Sequence, residues 1–441
     1  MSSDEICPEC NQKYSNITYR WCNPCNSKHF QNDFNNWTSG NDKIDKFIQG
    51  AQLNANDKWR VIEWIPYDRF KDVKQIGKGG FGTIHYSRWI DGYIGKWNIK
   101  NQQWKRYEVN REVALKKFNN FVNLNDVLNE MKIHLKTWTD NNYPSIRFFG
   151  ITQDPETHSY MMVLQYAKGG NLREYLKINF NNINWKQKLD NLYELSINLK
   201  NIHELDIVHQ DFHPGNILSH DFKNTSHMQI SDFGLSKIIG ANPNNPEKKN
   251  IFGVLPYIAP EVLSGEEYTK AADVYSYGII AYEMVTGFPP YPDIPHDNDL
   301  AMKICNGLRP KIPFHIPKLI TRMIMGCWDA RVTYRPTFDE LKDELRKYFD
   351  DYYKYLEDRK NKDSEIVIQI KKAEEFSANQ ESTNSTTTTP LNYQTHPQAI
   401  YTSRLLNFPK LPKPKNEENF EKKLEELTIS DLCPSNSDLF I

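Results

Sequence analysis

The chain has 441 residues, more than one hydrophobic core of ordinary size supports, so two or three regions are expected. Hydrophobic residues make up 39% and charged residues 25%, a balance that makes most of the chain globular. A net charge of −1 excludes a global pull towards nucleic acid or an anionic membrane, and no run approaches the roughly 18 apolar residues of a membrane span. The start, Met1-Ser2-Ser3-Asp4-Glu5, lacks the basic residues and apolar core of a signal peptide. The protein is therefore expected in the cytoplasm or nucleus with reduced thiols, and the sequons Asn16-Ile17-Thr18 and Asn36-Trp37-Thr38 are expected to carry no glycan.

Residues 1–35 hold four of the seven cysteines, as Cys7-Pro8-Glu9-Cys10 and Cys22-Asn23-Pro24-Cys25. Each Cys-x2-Cys aims two thiolates at one point, and two such knuckles complete the closed tetrahedron of structural zinc. The alternatives are free or redox-active thiols, or a degenerate ribbon without metal. So short a piece has almost no core, so a bound zinc would supply its folding energy. Cys305, Cys327 and Cys433 are scattered and read as ordinary residues.

Residues 36–66 read as a helical connector. Ile44, Phe47, Ile48 and Ala51 recur at helical spacing, which predicts a helix over about 41–55 with its cap at Thr38-Ser39. Val61, Ile62, Trp64 and Ile65 then form an apolar segment expected to pack on the adjoining domain, with docking or regulation as the other use.

In residues 67–165, Ile76-Gly77-Lys78-Gly79-Gly80-Phe81-Gly82 leads into Thr83-Ile84-His85-Tyr86. A dinucleotide fingerprint with the same glycine spacing opens a helix. Here the β-branched pair and Tyr86 favour a strand, which predicts a strand–turn–strand flap whose backbone can approach phosphates. Residues 89–110, with Trp89, Trp97, Trp104 and Tyr107, read as a hairpin carrying an aromatic ladder. Val113-Ala114-Leu115-Lys116 is a short strand ending in a cation that needs an anionic partner, and Glu130 on the next predicted helix is the candidate. Tyr160-Met161-Met162-Val163-Leu164 is a buried strand. It breaks at Gln165-Tyr166-Ala167-Lys168-Gly169-Gly170, a hinge whose amides, around Gln165 and Ala167, are expected to face a base edge.

In residues 168–350, a helix over 189–203 feeds His209-Gln210-Asp211-Phe212-His213-Pro214-Gly215-Asn216, and Asp232-Phe233-Gly234 comes next. An acid five residues before an amide, then a second acid, suits phosphoryl transfer, which needs a positioned hydroxyl and hard oxygen ligands for magnesium. Farther on come Ala259-Pro260-Glu261 and Asp273-Val274-Tyr275-Ser276-Tyr277-Gly278, the latter opening a helix to Thr286. Glu261 and the distant Arg335 are candidates for a buried pair. Residues 351–441 read as a charged, partly disordered tail, in which the charged stretch 350–376 can continue as a helix and Ser377 to Pro397 is a low-complexity spacer. Lys410 to Lys415 is a stiff linker, and Leu424, Leu427, Ile429 and Leu432 suggest a short docking helix.

Taken in order, these motifs over about residues 70–349 resemble the eukaryotic protein kinase family. Val254-Leu255-Pro256-Tyr257-Ile258-Ala259-Pro260-Glu261 resembles the tyrosine-kinase-like group, and the added knuckles resemble an expanded set of fungal kinase-like proteins. The resemblance implies an α+β bilobal kinase fold, with a β-rich lobe at about 67–165, a helical lobe at about 168–350 and a zinc-ribbon-like module in front. It implies ATP and magnesium as cofactors and transfer to a protein hydroxyl, with serine or threonine as acceptor and dual specificity as the variant left open. It implies that Gly77, Lys78, Gly79 and Gly82 cover the phosphates and that Lys116 holds them and pairs with Glu130. Gln165 and Ala167 would meet the base, Asp211 would act as base, and Asn216 and Asp232 would bind magnesium. Cys7, Cys10, Cys22 and Cys25 remain the zinc candidates. Expected partners are a protein substrate and docking proteins, with no nucleic acid and no membrane.

Three residues depart from the pattern. Gln210 replaces a common arginine, and residues 237–256 hold no Ser, Thr or Tyr, so activity is expected not to require phosphorylation of that segment. His213 stands where a lysine commonly sits near the γ-phosphate, and Val254 where a threonine often bridges to the base. The alternative is a nucleotide-binding pseudokinase scaffold.

Overall fold

The computed structural model describes residues 5–79, 82–118, 123–138, 143–223, 228–239, 251–382 and 395–428. The chain divides into two units, Met1–Ala167 and Lys168–Ile441.

The first unit begins with the cysteine knuckles and helix α1 (Asn23–Asp33), followed by α2 (Asp42–Leu53). Ile44 and Ile48, one turn apart, are fully buried on one face of α2. The cap differs from expectation. The Asn41 side chain accepts from the amides of Lys43 and Ile44, because only the residue directly before the first turn reaches them. Thr38 and Ser39 instead donate to Asp45, at 2.6 Å from Thr38 Oγ1 and 2.8 Å from the Ser39 amide.

Eight strands come next: β1 (Glu63–Trp64), β2 (Phe70–Lys78), β3 (Gly82–Trp89), β4 (Tyr93–Asn98), β5 (Gln103–Tyr107), β6 (Arg111–Phe118), β7 (Phe148–Gln153) and β8 (Tyr160–Gln165). Helix α3 (Leu124–Thr137) lies between β6 and β7 in the chain. Six strands form one sheet in the order β1-β7-β8-β6-β3-β2, and β4 and β5 form a separate hairpin. The sheet buries Phe70, Trp89, Val113, Leu115, Phe149, Met161 and Val163 as one cluster. The connector contributes more than apolar packing: β1 adds an edge strand, parallel to β7. Gly150 makes this possible. Its φ is +155°, and a Cβ there would lie 2.1 Å from the Glu63 carbonyl oxygen.

Trp97 and Trp104 face each other across the hairpin as expected. Their outer faces have a second use that the sequence did not signal. His29 stacks on Trp97 at 3.9 Å between centroids, and Phe30 stacks on Trp104 at 4.4 Å. The cysteine module is thereby seated on the hairpin. Behind it, the Arg147 guanidinium lies 4.1 Å from the Tyr93 ring centroid and 4.6 Å from that of Trp59, and donates to the Lys58 carbonyl. Burial pushes the Arg147 pKa down to about 10.

The second unit contains α4 (Leu172–Asn179), α5 (Trp185–Glu204) and the short strands β9 (Ile207–Val208), β10 (Ile217–Ser219), β11 (Met228–Ile230), β12 (Lys237–Ile238) and β13 (Ile251–Gly253). Beyond them lie helices α6 (Pro260–Leu263), α7 (Lys270–Thr286), α8 (Asn298–Cys305), α9 (Lys318–Cys327), α10 (Phe338–Asp358) and α11 (Glu365–Ser382), then β14 (Arg404–Leu406) and α12 (Phe420–Glu426). Helix α7 is the central post, buried continuously from Ala272 to Thr286 and ended by Gly287 at a φ of +75°. Glu261 and Arg335 form the anticipated buried pair, bidentate at 2.6 and 2.7 Å.

Helix α10, started by a capping box between Thr337 and Glu340, runs past residue 350 into the charged stretch and buries Tyr348 and Tyr352. The tail departs from expectation in two places. Helix α11 extends through part of the expected spacer, and Tyr352 Oη donates to Glu374 at 2.9 Å. Lys415, at the end of the expected free linker, donates its amide to the Cys305 carbonyl, and Asn416 binds Asp329 at 2.8 Å. A short helix, α12, carries Leu424 of the expected helix, is capped at Leu427 and buries Phe420. Ile429, Leu432, Cys433 and the threonine run 386–389 lie outside the described residues.

Candidate active site

The first unit supplies the flap and the lysine. Strands β2 and β3 are antiparallel, and the Gly79 amide donates to the Gly82 carbonyl at 2.8 Å, closing the turn. The three glycines differ in why they are glycine. A Cβ on Gly82 would lie 2.1 Å from the Lys117 carbonyl oxygen, so the sheet forbids a side chain there. A Cβ on Gly77 would make ordinary contact with Ile84, and one on Gly79 would meet nothing within 4 Å. Nothing in the described chain demands glycine at 79, which fits a surface kept bare for a phosphate. Lys78 ends β2 as an exposed residue.

Lys116, on β6, and Glu130, on α3, come together as a buried ion pair with Nζ 2.5 Å from Oε1. Their relative exposures are 4% and 2%, so neither charge is tolerable without the other. Gln165 differs from expectation. Its amide is spent inside the sheet, donating to the Arg147 carbonyl at 2.9 Å, so the hinge amide available to a base narrows to Ala167.

The second unit supplies the loop from His209 to Asn216. Asn216 Nδ2 donates to the Asp211 carbonyl at 2.9 Å and faces Asp211 Oδ2 at 3.5 Å. This turns the Asn216 amide oxygen away from Asp211. Asp211 is 4% exposed, and its Oδ1 has no hydrogen-bond partner among the described residues. Asp232 adopts a left-handed φ of +62°, a conformation that costs a non-glycine residue about 1 kcal/mol or more.

His213 Nδ1 accepts from the Gly215 amide at 3.0 Å, so the ring proton sits on Nε2, which faces Asp211 Oδ1 at 3.6 Å. The imidazole therefore stands beside the acid with Nε2 towards it. His209 Nδ1 accepts from the Asp211 amide, and Nε2 donates to the Ser231 carbonyl at 3.0 Å. Burial pushes the His209 pKa down, keeping that ring neutral.

Sequence reasoning missed the anchor of this loop. Asp273, fully buried at the start of α7, accepts from the His209 amide (2.8 Å), the Gln210 amide (3.2 Å) and His203 Nε2 (2.9 Å). An acid set among the apolar residues of that helix was the available signal, because a buried carboxylate must be paired. A second missed group is Arg173, which donates to Tyr257 Oη at 3.0 Å, while Tyr257 donates to Glu283 at 2.5 Å. Burial pushes the Glu283 pKa up.

The four cysteine sulfurs lie within 4.8 Å of one another, with 3.8 Å between Cys7 and Cys25 and 3.6 Å between Cys10 and Cys22. Zinc bound to four thiolates at about 2.3 Å sets tetrahedral edges of about 3.8 Å. The donor set fits such an ion.

The family model for protein tyrosine and serine/threonine kinases matches residues 70–345, more than half of the chain. The chain belongs to the protein kinase family. The tyrosine-protein kinase SPK-1 of Girardia tigrina is 27% identical over 289 residues, 64% of this chain and 53% of that protein. A probable serine/threonine-protein kinase of Dictyostelium discoideum is 26% identical over 292 residues, 65% of this chain and 20% of that protein. The dual specificity protein kinase shkE of the same organism is 36% identical over 125 residues, 28% of this chain and 18% of that protein. The chain thus spans about half the length of the first relative and a fifth or less of the other two. Membership implies ATP and magnesium as cofactors. The names of these relatives differ over the acceptor hydroxyl, so the kinase family does not by itself fix it. Among the described residues, no helix is long and apolar enough to cross a membrane.

Proposed function

We propose that this kinase transfers the γ-phosphoryl group of ATP to serine or threonine hydroxyls of proteins and belongs to the tyrosine-kinase-like group. The observation that carries the reading is the buried Asp211 carboxylate, with one oxygen left without a hydrogen-bond partner among the described residues and an amide beside it. A base must keep an oxygen for the incoming hydroxyl. Magnesium, when bound, neutralises the phosphates, and the Asn216 and Asp232 oxygens would hold it. Lys116, paired with Glu130, would hold the α- and β-phosphates, and Gly77, Lys78, Gly79 and Gly82 would cover them. The Ala167 amide would meet the base. The cysteines would hold zinc as a structural ion, since four sulfurs leave no open position. Residues 237–256 offer no hydroxyl, which supports activity without phosphorylation of that segment.

His213 favours a second reading. A neutral imidazole stabilises transferring charge less than an ammonium does, which suits a scaffold that binds nucleotide without turnover. Transfer of labelled γ-phosphate to a generic protein, compared with Asp211→Asn and followed by identification of the labelled amino acid, separates the readings. Label on Ser or Thr, lost in the variant, is expected. Label on Tyr corrects the acceptor. Bound ATP without any label leaves the scaffold.

A further inference from the structure

The tail returns to the catalytic loop. Strand β14 pairs antiparallel with β13, with Ile251 opposite Leu406, Phe252 opposite Leu405 and Gly253 opposite Arg404. Strand β13 belongs to the segment between Asp232-Phe233-Gly234 and Ala259-Pro260-Glu261. Gly253 is the point of approach. Its φ is +144°, and a Cβ there would lie 3.4 Å from Asp211 Oδ1 and 2.5 Å from Ile258. A bare backbone at 253 thus separates the tail strand from the acid. Cα atoms across an antiparallel pair lie about 5 Å apart, and Ser403 is one step of about 3.8 Å from Arg404.

Other contacts make this a built seat. Leu406 is buried, the Tyr401 ring lies 4.6 Å from the Arg173 guanidinium, and Tyr401 Oη donates to the Pro290 carbonyl at 2.8 Å. Arg173 is the group that binds Tyr257, whose ring lies 6.2 Å from that of His213. His296 Nδ1 donates to the Ile400 carbonyl at 2.9 Å, and Arg404 donates to the His296 carbonyl. Between these anchors, Ser403 Oγ is buried without a hydrogen-bond partner among the described residues, as is Asp211 Oδ1. A buried hydroxyl without a partner is costly, and Ser403 is the residue next to Arg404, which lies opposite the glycine that approaches Asp211.

We propose that residues 401–406 occupy the acceptor-peptide channel of this chain's own catalytic loop, and that Ser403 is phosphorylated there in cis. The inference rests on the kinase reading above. Ser403 Oγ attacks the γ-phosphorus of the nucleoside triphosphate. The new oxygen–phosphorus bond forms as the bond from phosphorus to the β–γ bridging oxygen breaks, and that oxygen leaves with the electron pair on the diphosphate. The hydroxyl proton passes to the Asp211 carboxylate. The strand fixes register by main-chain hydrogen bonds, so it presents one hydroxyl without needing a sequence motif.

The test uses the full chain with ATP and magnesium, and phosphorylated residues are mapped by mass spectrometry during a dilution series. Phosphate on Ser403 is expected, with a fractional rate unchanged on dilution. Ser403→Ala is expected to lose that label and Thr402→Ala to keep it. Leu406→Asp, which unseats the strand, is expected to slow the labelling of Ser403 and lower the KM of an added peptide. Transfer to an added peptide with no phosphate on Ser403 overturns the proposal while the kinase reading stands. A fractional rate that rises with protein concentration also overturns it, since it assigns the reaction to a second copy. No transfer to any acceptor, with nucleotide bound, removes the kinase reading and this proposal with it.

Discussion

Asp273→Asn tests how the catalytic loop is held. In the native chain, Asp273 Oδ2 accepts from the His209 amide and His203 Nε2, and Oδ1 accepts from the Gln210 amide. Asparagine is nearly the same size but has one acceptor oxygen. If that oxygen serves His209 and His203, the new NH2 group faces the Gln210 amide, donor against donor. Losing a bond to a charged acceptor and burying an unpartnered donor costs about 2–4 kcal/mol together. Gln210 has a left-handed φ of +68°, which persists only while its surroundings hold it, and Asp211 is the next residue. Misplacing a reacting group by about 1 Å costs on the order of a hundredfold in rate. Urea unfolding should show a loss within that range. Steady-state transfer to a peptide should show the defect in kcat, with KM for the peptide little changed. Native kcat in a variant whose stability falls by less than about 1 kcal/mol would refute the anchoring role.

Lys188 is buried, and its pKa is pushed down to about 8 by that burial, although Nζ donates to the Val285 carbonyl. Its unfolded value is about 10.5, so below pH 8 the native state carries the cost of a buried ammonium. Lys188→Met should raise the unfolding free energy by about 1–3 kcal/mol at pH 7, and this gain should shrink as pH rises from about 8 towards 10.5, read by urea unfolding at several pH values. Gly82→Ala should cost more than about 2 kcal/mol of stability, because its Cβ meets the Lys117 carbonyl. Gly79→Ala, which meets nothing, should leave the urea midpoint unchanged and weaken nucleotide binding measured by calorimetry. Zinc should be found by elemental analysis at one per chain, and a chelator should red-shift tryptophan emission as the module leaves Trp97 and Trp104.

The residues that handle phosphate were legible because their chemistry demands a local order. An acid and an amide five apart must share one loop, and a buried lysine at a strand end must find an acid within reach, as Lys116 finds Glu130. The N-cap at Asn41 was missed because Thr38 and Ser39 are equally good capping types, and only geometry chooses among them. The Gln165 amide was misjudged because sheet pairing, not composition, decides which hinge donors are already spent. Nothing local in Arg404-Leu405-Leu406 signals a partner some 150 residues away. Three-residue strands carry almost no periodicity, and their pairing is set by what surrounds them.

Gly150 has a practical consequence. The family match begins at Phe70, yet the sheet has its outermost strand at Glu63-Trp64, clasped against a glycine whose Cβ would meet the Glu63 carbonyl. A fragment trimmed to residues 70–345 would expose the open edge of β7, an invitation to pair with another chain. It would also cut α10 before Tyr348 and Tyr352, which fill the other unit. The boundary that defines the enzyme family is therefore not the boundary at which this polypeptide becomes self-sufficient.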